Sequence, residues 1–367
     1  MDVVQPLLAW YAAHHRDLPW RRGASPYAIW LSEIMLQQTR VETVLPYWQR
    51  FLQRFPTVHD LAAADLQEVL KLWQGLGYYS RARNLHAAAK AVVEGRGGVF
   101  PATLEGLGSL PGVGPYTAAA IASMAFGVPT PVVDGNVLRA FARYLGIDDD
   151  IRGTRARRRI HDALTVAIRR EPGPGEGPLD PGTFNNAIME LGALVCVPRD
   201  PTCDACPLAQ GCVARREGRV DQLPVKAAKA PVPHHEVAVG VIWRQGRVLV
   251  ARRPVTAMLG GLWELPGGKR RSRESLQDAA RREIVEETGL SVEVGPPVAT
   301  VRHAYSHFRI TLTAFHCTPT AGEAQALASD EVRWVTPAEL ALLPLPRATE
   351  KVVEALRASG YPHPEFP

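Results

Sequence analysis

Four of the chain's five cysteines fall in one short stretch, in the order Cys196-x6-Cys203-x2-Cys206-x5-Cys212. The intervening loops are brief and carry Pro198, Pro201 and Pro207, so the four thiols can close on one centre. In a reducing compartment clustered thiols hold a metal more often than they form disulfides. Zinc ribbons pair two close CxxC knuckles, and only one is present here. On spacing alone, a four-thiolate zinc site and an iron–sulfur cluster both remain open. Cys317 stands apart and reads as a buried strand residue.

At 367 residues the chain calls for two domains, and a hydrophobic share of 46% supplies full cores. No apolar run is long enough to span a membrane. The N-terminus carries Asp2 and aromatic residues in place of a basic leader, so the expectation is a cytoplasmic, nucleoid-associated monomer without a signal peptide. A net charge of +5 permits a polyanionic partner without requiring one. Arg152, Arg155, Arg157, Arg158 and Arg159 concentrate that charge, as a solvated helix face or as a neighbour of DNA.

Residues 1 to about 170 read as helices, with apolar residues at helical spacing in Ile29, Ile34 and Leu36 and in Leu66, Val69, Leu70 and Trp73. Residues 172–182 are too rich in Pro and Gly for regular structure, and helix resumes at Thr183. A second break, over 218–234, reads as a linker. It divides an all-α domain, 1–217, from an α+β domain, 235–367. In the latter, Val237, Val239 and Val241 alternate, as do Val248 and Val250, and Gln245-Gly246 between them suits a hairpin turn. A helix is expected at about 276–288, with strands at about 309–316 and 331–335.

Leu110-Pro-Gly112-Val-Gly114-Pro-Tyr116-Thr117 joins two helical stretches, and its amides at a helix start can hold a phosphate without reading sequence. Val132-Val-Asp134-Gly-Asn136 follows. Together these resemble the helix–hairpin–helix and Gly/Pro-Asp signature of the base-excision superfamily. Upstream, Glu33-Ile-Met-Leu-Gln37-Gln38-Thr39-Arg40 and Gly75-Leu76-Gly77-Tyr78-Tyr79 resemble segments that set adenine DNA glycosylases apart, as does Asn186 to Cys196. The resemblance to this MutY family covers residues 5–216. It implies that Cys196, Cys203, Cys206 and Cys212 hold a [4Fe-4S] cluster, beside which Arg199, Arg215 and Arg216 position a DNA phosphate. Bifunctional members of the superfamily carry a Schiff-base lysine where this chain has Tyr116, so the implied chemistry is hydrolytic base removal alone.

Adenine is a poor leaving group unless a ring nitrogen is protonated, which calls for an acid still protonated near neutral pH. Burial among Trp30, Ile34 and Leu36 would raise a carboxyl in that direction, and the resemblance makes Glu33 the acid. The sugar develops oxocarbenium character, which the ionised carboxylate of Asp134 would stabilise. The resemblance further implies that Tyr116 and Asn136 orient the pair and that Glu190 contacts the extruded base. Gln38, Thr39, Leu76 and Tyr78 would meet DNA, with Gln38 and Tyr78 wedged into the space the base leaves. Gly112 and Gly114 would meet its backbone.

Gly268-x5-Glu274-x7-Arg282-Glu283-Ile-Val-Glu286-Glu287-Thr-Gly289-Leu290 fills every fixed position of the Nudix box and resembles MutT-type pyrophosphohydrolases. Ser275 and Asp278 suit a capping box, and Gly289 suits the helix end. Leu276, Ala280 and Ile284 would face the core. Glu283, Glu286 and Glu287 share a helical face, where they are either solvated or arranged for Mg. Most adenine glycosylases carry a degraded box in a domain that reads 8-oxoguanine, and the intact box departs from that pattern. His303-Ala-Tyr305-Ser306-His307-Phe308 resembles their lesion-contacting loop, with Tyr305 where Phe is usual. The implied substrate is double-stranded DNA with adenine opposite 8-oxoguanine or guanine. The alternative is a bifunctional protein that also hydrolyses nucleotides with Mg.

Overall fold

The computed structural model describes residues 3–173, 176–227 and 231–360. Two compact units emerge, Met1–Ala62 with Ala87–Lys229, and Ala63–His86 with Ala230–Pro367. Residues 63–86, placed with the helical domain in the sequence reading, thus cluster with the second unit. Residues 174–175 of the expected loop and 228–230 of the expected linker lie outside the described residues. No helix among the described residues is long and apolar enough to cross a membrane.

The helices up to the cysteine loop are α1 (Val4–His14), α2 (Pro26–Leu36), α3 (Val41–Arg54), α4 (Val58–Ala63), α5 (Leu66–Trp73) and α6 (Ser80–Arg96). They continue with α7 (Leu104–Gly108), α8 (Pro115–Phe126), α9 (Gly135–Leu145), α10 (Thr154–Ile168) and α11 (Pro181–Leu194). The short α12 (Val213–Arg216) follows the last clustered cysteine. The first unit's core joins Val4, Leu7 and Tyr11 of α1 to Phe141 of α9, Ile160 and Leu164 of α10, and Phe184 and Ile188 of α11. Two helices that frame the site are apolar nearly all round. In α2 everything from Tyr27 to Met35 is buried, and in α8 everything from Thr117 to Ser123. Such helices are stable only inside a core. Ser25 caps α2 by accepting from the Ala28 amide at 3.3 Å, and Pro26 and Pro115 start their helices where no amide partner is lost.

The second unit is built on strands β1 (His234–Arg244), β2 (Arg247–Arg252), β3 (Trp263–Glu264), β4 (Gly267–Lys269), β5 (Ser291–Ala304), β6 (Arg309–Ala321) and β7 (Glu331–Val335). Helices α13 (Leu276–Thr288), α14 (Pro337–Leu342) and α15 (Arg347–Ala358) complete it. The sheet order is β3-β2-β1-β6-β5, with β4 also on β1 and β7 also on β2. The expected hairpin is present: Arg244 pairs with Arg247, and Gln245 and Gly246 take φ 52° and 74°, the doubly left-handed turn that matches strand twist. The β1·β6 pairing is parallel, from His234↔Arg309 to Ile242↔Cys317. Alternation along β1 sends Ala238 and Ile242 toward Ala280 and Ile284 of α13, and Val239 and Val241 toward Val352 and Leu356 of α15. Cys317 lies in the α13-side core. The Ser275 cap forms in part: its hydroxyl accepts from the Asp278 amide at 3.0 Å, but donates to the Asp278 carboxylate at 2.6 Å. The reciprocal capping box lies instead at Thr336 and Glu339.

Candidate active site

Glu33 is the acidic residue of the buried helix α2 and is 4% exposed. Its carboxyl opens into a cavity of about 470 Å³, which Tyr116 of α8, Asp134 and Asn136 at the start of α9, and Met189 and Glu190 of α11 also line. Burial pushes the Glu33 carboxyl up to about 7; a hydrogen bond from Tyr116 opposes the shift, and Asp134 reinforces it. The Tyr116 hydroxyl donates to Glu33 Oε2 at 3.3 Å, and burial holds that phenol well above its ordinary range. A carboxyl poised near neutrality can deliver a proton that an exposed one would already have lost.

Asp134 caps α9, accepting from the Val137 amide at 2.7 Å and from Asn136 Nδ2 at 3.0 Å. Burial raises its carboxyl, while these donors and Arg139 hold it down. The two acids therefore differ in kind: one has a single long hydrogen bond, the other is surrounded by donors that favour its charged form. Behind Asn136, the guanidinium of Arg139 bonds Asn136 Oδ1 at 3.0 Å, the Gly192 carbonyl at 2.7 Å and the Cys196 carbonyl at 2.8 Å. α9 and α11 can approach here because Gly192 lacks a side chain; a Cβ on it would stand 2.7 Å from Asn136 Cβ.

Glu190 lines the same cavity in a form its sequence context did not show. Arg16 Nε bonds one carboxylate oxygen at 2.8 Å and Arg16 Nη2 the other at 2.9 Å, which Arg21 also meets at 2.8 Å. Burial opposes ionisation, but these bonds outweigh it and bring the carboxyl down to about 2. Glu190 is thus a fixed anion. Arg16, Arg21, Asn186 and Arg139 are the site residues that sequence reasoning missed. The partners lie 174 and 169 residues from Glu190, and no local pattern links them.

Gly112 adopts φ 75°, so a glycine is needed to turn the hairpin. Gly114 is extended, and a Cβ there would meet nothing within 4 Å, so its smallness keeps open the space before the α8 amides. Gln38 and Tyr78 share an unusual backbone, φ 59° and 49°, that turns each out of its helix end; both are exposed. Thr39 lines the cavity. Leu76, expected to meet DNA, is only 5% exposed and packs in the core. At the β5–β6 turn, closed by Tyr305 N–H to the Phe308 carbonyl at 2.8 Å, Ser306 and His307 are exposed, whereas Tyr305 folds inward between His303 and Phe308. Ser306 Oγ and the Tyr78 hydroxyl are hydrogen-bonded at 2.7 Å within the second unit.

The four cysteines are half-buried and close enough to act on one another: burial first, then neighbouring cysteines, raise Cys203, and push Cys206 up to about 11. Arg143 Nη1 lies 3.4 Å from Cys196 Sγ. Among the described residues no three His, Cys, Asp or Glu side chains gather as the ligands of one metal ion. Among the Nudix residues, Arg282 bonds Glu274, Glu283 and Glu286, Arg271 also bonds Glu286, and Glu287 accepts from the Gly267 amide at 3.0 Å. Of the loop cations, Arg215 is taken up by Asp204 at 2.8 Å.

Comparison with known proteins agrees with this arrangement. The sequence model for HhH-GPD superfamily base excision DNA repair proteins matches residues 31–164, and that for the NUDIX domain matches 238–355. Among solved structures, a thermostable thymine-DNA glycosylase is 27% identical, with a TM-score of 0.52 over 58% of this chain and 95% of that one. The molecule is a DNA glycosylase of base excision repair, a helical catalytic unit followed by a Nudix fold. Adenine DNA glycosylase of Homo sapiens is 36% identical, covering 94% of this chain and 72% of its relative. The enzyme of that name from Mycobacterium tuberculosis is 43% identical, covering 58% and 67%. The chain belongs to the adenine DNA glycosylase family.

Proposed function

We propose that this chain hydrolyses the N-glycosidic bond of adenine placed opposite 8-oxoguanine or guanine in duplex DNA, leaving an abasic site and an unbroken strand. The observation that carries the reading is the Glu33 carboxyl, buried, pushed up to about 7 and facing the same cavity as the donor-rich Asp134. Glu33 gives its proton to a ring nitrogen of the base. The glycosidic electron pair leaves with the base, Asp134 faces the positive charge left on the sugar, and water adds there, returning a proton to Glu33. The fixed anion Glu190 and its arginines shape the wall against which the extruded base lies. Tyr116 is a phenol in place of an amine, so it forms no Schiff base, and the strand stays intact.

Cys196, Cys203, Cys206 and Cys212 would hold a [4Fe-4S] cluster. Supporting this are a donor set of thiols alone, their mutual electrostatic influence, and the nearby Arg143 to balance negative charge. Such a cluster would tie the loop together and supply no step of the hydrolysis. Cys203→Ser should lower bound iron and sulfide; equal loading in variant and parent would refute the assignment. In the second unit, Ser306 and His307 would read the oxidised guanine, supported by the bond between Ser306 and the wedge residue Tyr78. The test is single-turnover excision of adenine opposite 8-oxoguanine, guanine and thymine. Preference for the first two, lost toward 8-oxoguanine in Ser306→Ala, is the expected result; no adenine release from any duplex would overturn the proposal.

A second reading, Mg-dependent nucleotide hydrolysis, has one observation in its favour. A cavity of about 270 Å³ in the second unit is lined by Glu264, Glu283 and Glu287 of the box region. Turnover of 8-oxo-dGTP with Mg, lost in Glu286→Gln, would establish it.

A further inference from the structure

We propose that Asn185 of α11 is a positioning residue for adenine excision: its side-chain amide pins the segment that delivers Asp134 to the sugar. The inference rests on the role given to Asp134 above. Asn185 is fully buried, between core residues Phe184, Ala187 and Ile188 of the same helix. An apolar side chain would suit such a place, and a buried amide is costly unless both its ends are bonded. Here both are. Asn185 Oδ1 accepts from the Val132 amide at 2.9 Å, and Nδ2 donates to the Thr130 carbonyl at 2.9 Å. The partners fix which way the amide points, since a backbone N–H can only donate and a carbonyl can only accept.

Residues 127–134 join α8 to α9 without regular structure, yet Thr130 to Val133 are buried. Pro129 and Pro131 bring no N–H to this segment, and the Thr130 amide turns back to the Val128 carbonyl at 2.8 Å. The two groups that Asn185 bonds, a carbonyl and the amide two residues on, are the pair that one residue of a parallel strand would engage. Asn185 supplies that partner from a helix. Val132 meanwhile packs with Ala119 and Ala120 of α8, beside Tyr116 and Met189. One residue, two before Asp134, is thus fixed to α8 by packing and to α11 by its amide. On its other side Asp134 is tied to α9 by the Val137 amide at 2.7 Å. Tyr116 of α8 holds the Glu33 carboxyl, so the Asn185 bonds set where the second acid lies relative to the first. Asn186, Met189 and Glu190 line the cavity, whereas the Asn185 amide faces the segment and acts through Asp134.

The test uses Asn185→Leu, of similar volume but bonding neither group, and Asn185→Ala, which leaves room for water between them. Both are made in the full chain and measured for single-turnover adenine excision opposite 8-oxoguanine. Affinity is then compared for two duplexes altered at the target nucleotide. One carries a pyrrolidine, whose protonated nitrogen mimics the charge developing on the sugar; the other carries an uncharged tetrahydrofuran. A displacement of Asp134 by about 1 Å should lower excision on the order of 10²-fold in Asn185→Leu. Asn185→Ala should lose less, in the same direction. Pyrrolidine affinity should fall by a similar factor in each, because it reports the charge that Asp134 presents, and tetrahydrofuran affinity should match the parent. Parent-like excision in both variants, or lost excision with the pyrrolidine preference intact, would overturn the proposal. Equal weakening of the two duplexes, or loss of the fold in both variants, would make Asn185 a core residue alone and overturn it as well. Asp134→Asn reports separately on the underlying reading. Excision there at the parent rate would remove the role of Asp134 itself, whereas its loss there beside parent-like Asn185 variants would refute this inference alone.

Discussion

Replacing Glu33 by Gln should stabilise the protein at alkaline pH while abolishing its chemistry. The carboxyl rises from 4.5 in an unfolded chain to about 7 in the folded one, a difference of about 2.5 units. Between those values the folded state binds more protons than the unfolded state, so this group's contribution to stability falls as pH rises through the window. At about 1.4 kcal/mol per unit, the accumulated cost reaches about 3 kcal/mol by pH 8 and is near zero at pH 4. Gln has the same shape, keeps an oxygen for the Tyr116 hydroxyl and never ionises, so it escapes that cost. Urea titrations of both proteins should nearly coincide at pH 4 and separate by about 3 kcal/mol at pH 8, the variant being more stable. Excision should fall by roughly 10²- to 10⁴-fold, the usual worth of a positioned general acid. A stability difference independent of pH would refute the reasoning, because the raised carboxyl is its whole source.

Three other perturbations probe the surroundings. In Tyr116→Phe the bond that holds the Glu33 carboxyl down is gone, so the alkaline limb of the excision–pH profile should move to higher pH. Movement to lower pH would contradict that. Glu190→Gln removes the anion between Arg16 and Arg21 and should cost roughly 3 kcal/mol, since two cations lose a buried partner; unfolding titration measures it. Gly192→Ala drives a Cβ into Asn136 and should lower single-turnover excision on the order of 10²-fold, with helical circular dichroism retained.

Sequence made some of this molecule legible because certain residues carry their own geometry. Gln245-Gly246 suited a tight hairpin and Gly289 a helix end, which it forms at φ 68°. Glu33 stood out as an acid within an apolar helix. What stayed hidden depends on distant chain. Nothing near Glu190 announces Arg16 and Arg21, and nothing in β1 announces its parallel pairing with β6. The packing of the Tyr305 ring against Phe308 and His303 was likewise not legible in the turn's sequence. In the motif around Tyr78, Leu76 and Tyr79 are buried while Tyr78 is exposed, a split that the sequence pattern does not announce. Residues 63–86 carry ordinary helical periodicity, which cannot tell which core a helix will join.

The central claim is hydrolytic removal of adenine by the Glu33–Asp134 pair without strand cleavage. It is tested most directly on an end-labelled duplex with adenine opposite 8-oxoguanine, incubated with the full chain and analysed with and without alkali. The account predicts free adenine and a strand that breaks only after alkali, both absent in Glu33→Gln. Strand breakage without alkali, or adenine release that persists at the parent rate in Glu33→Gln, would contradict it.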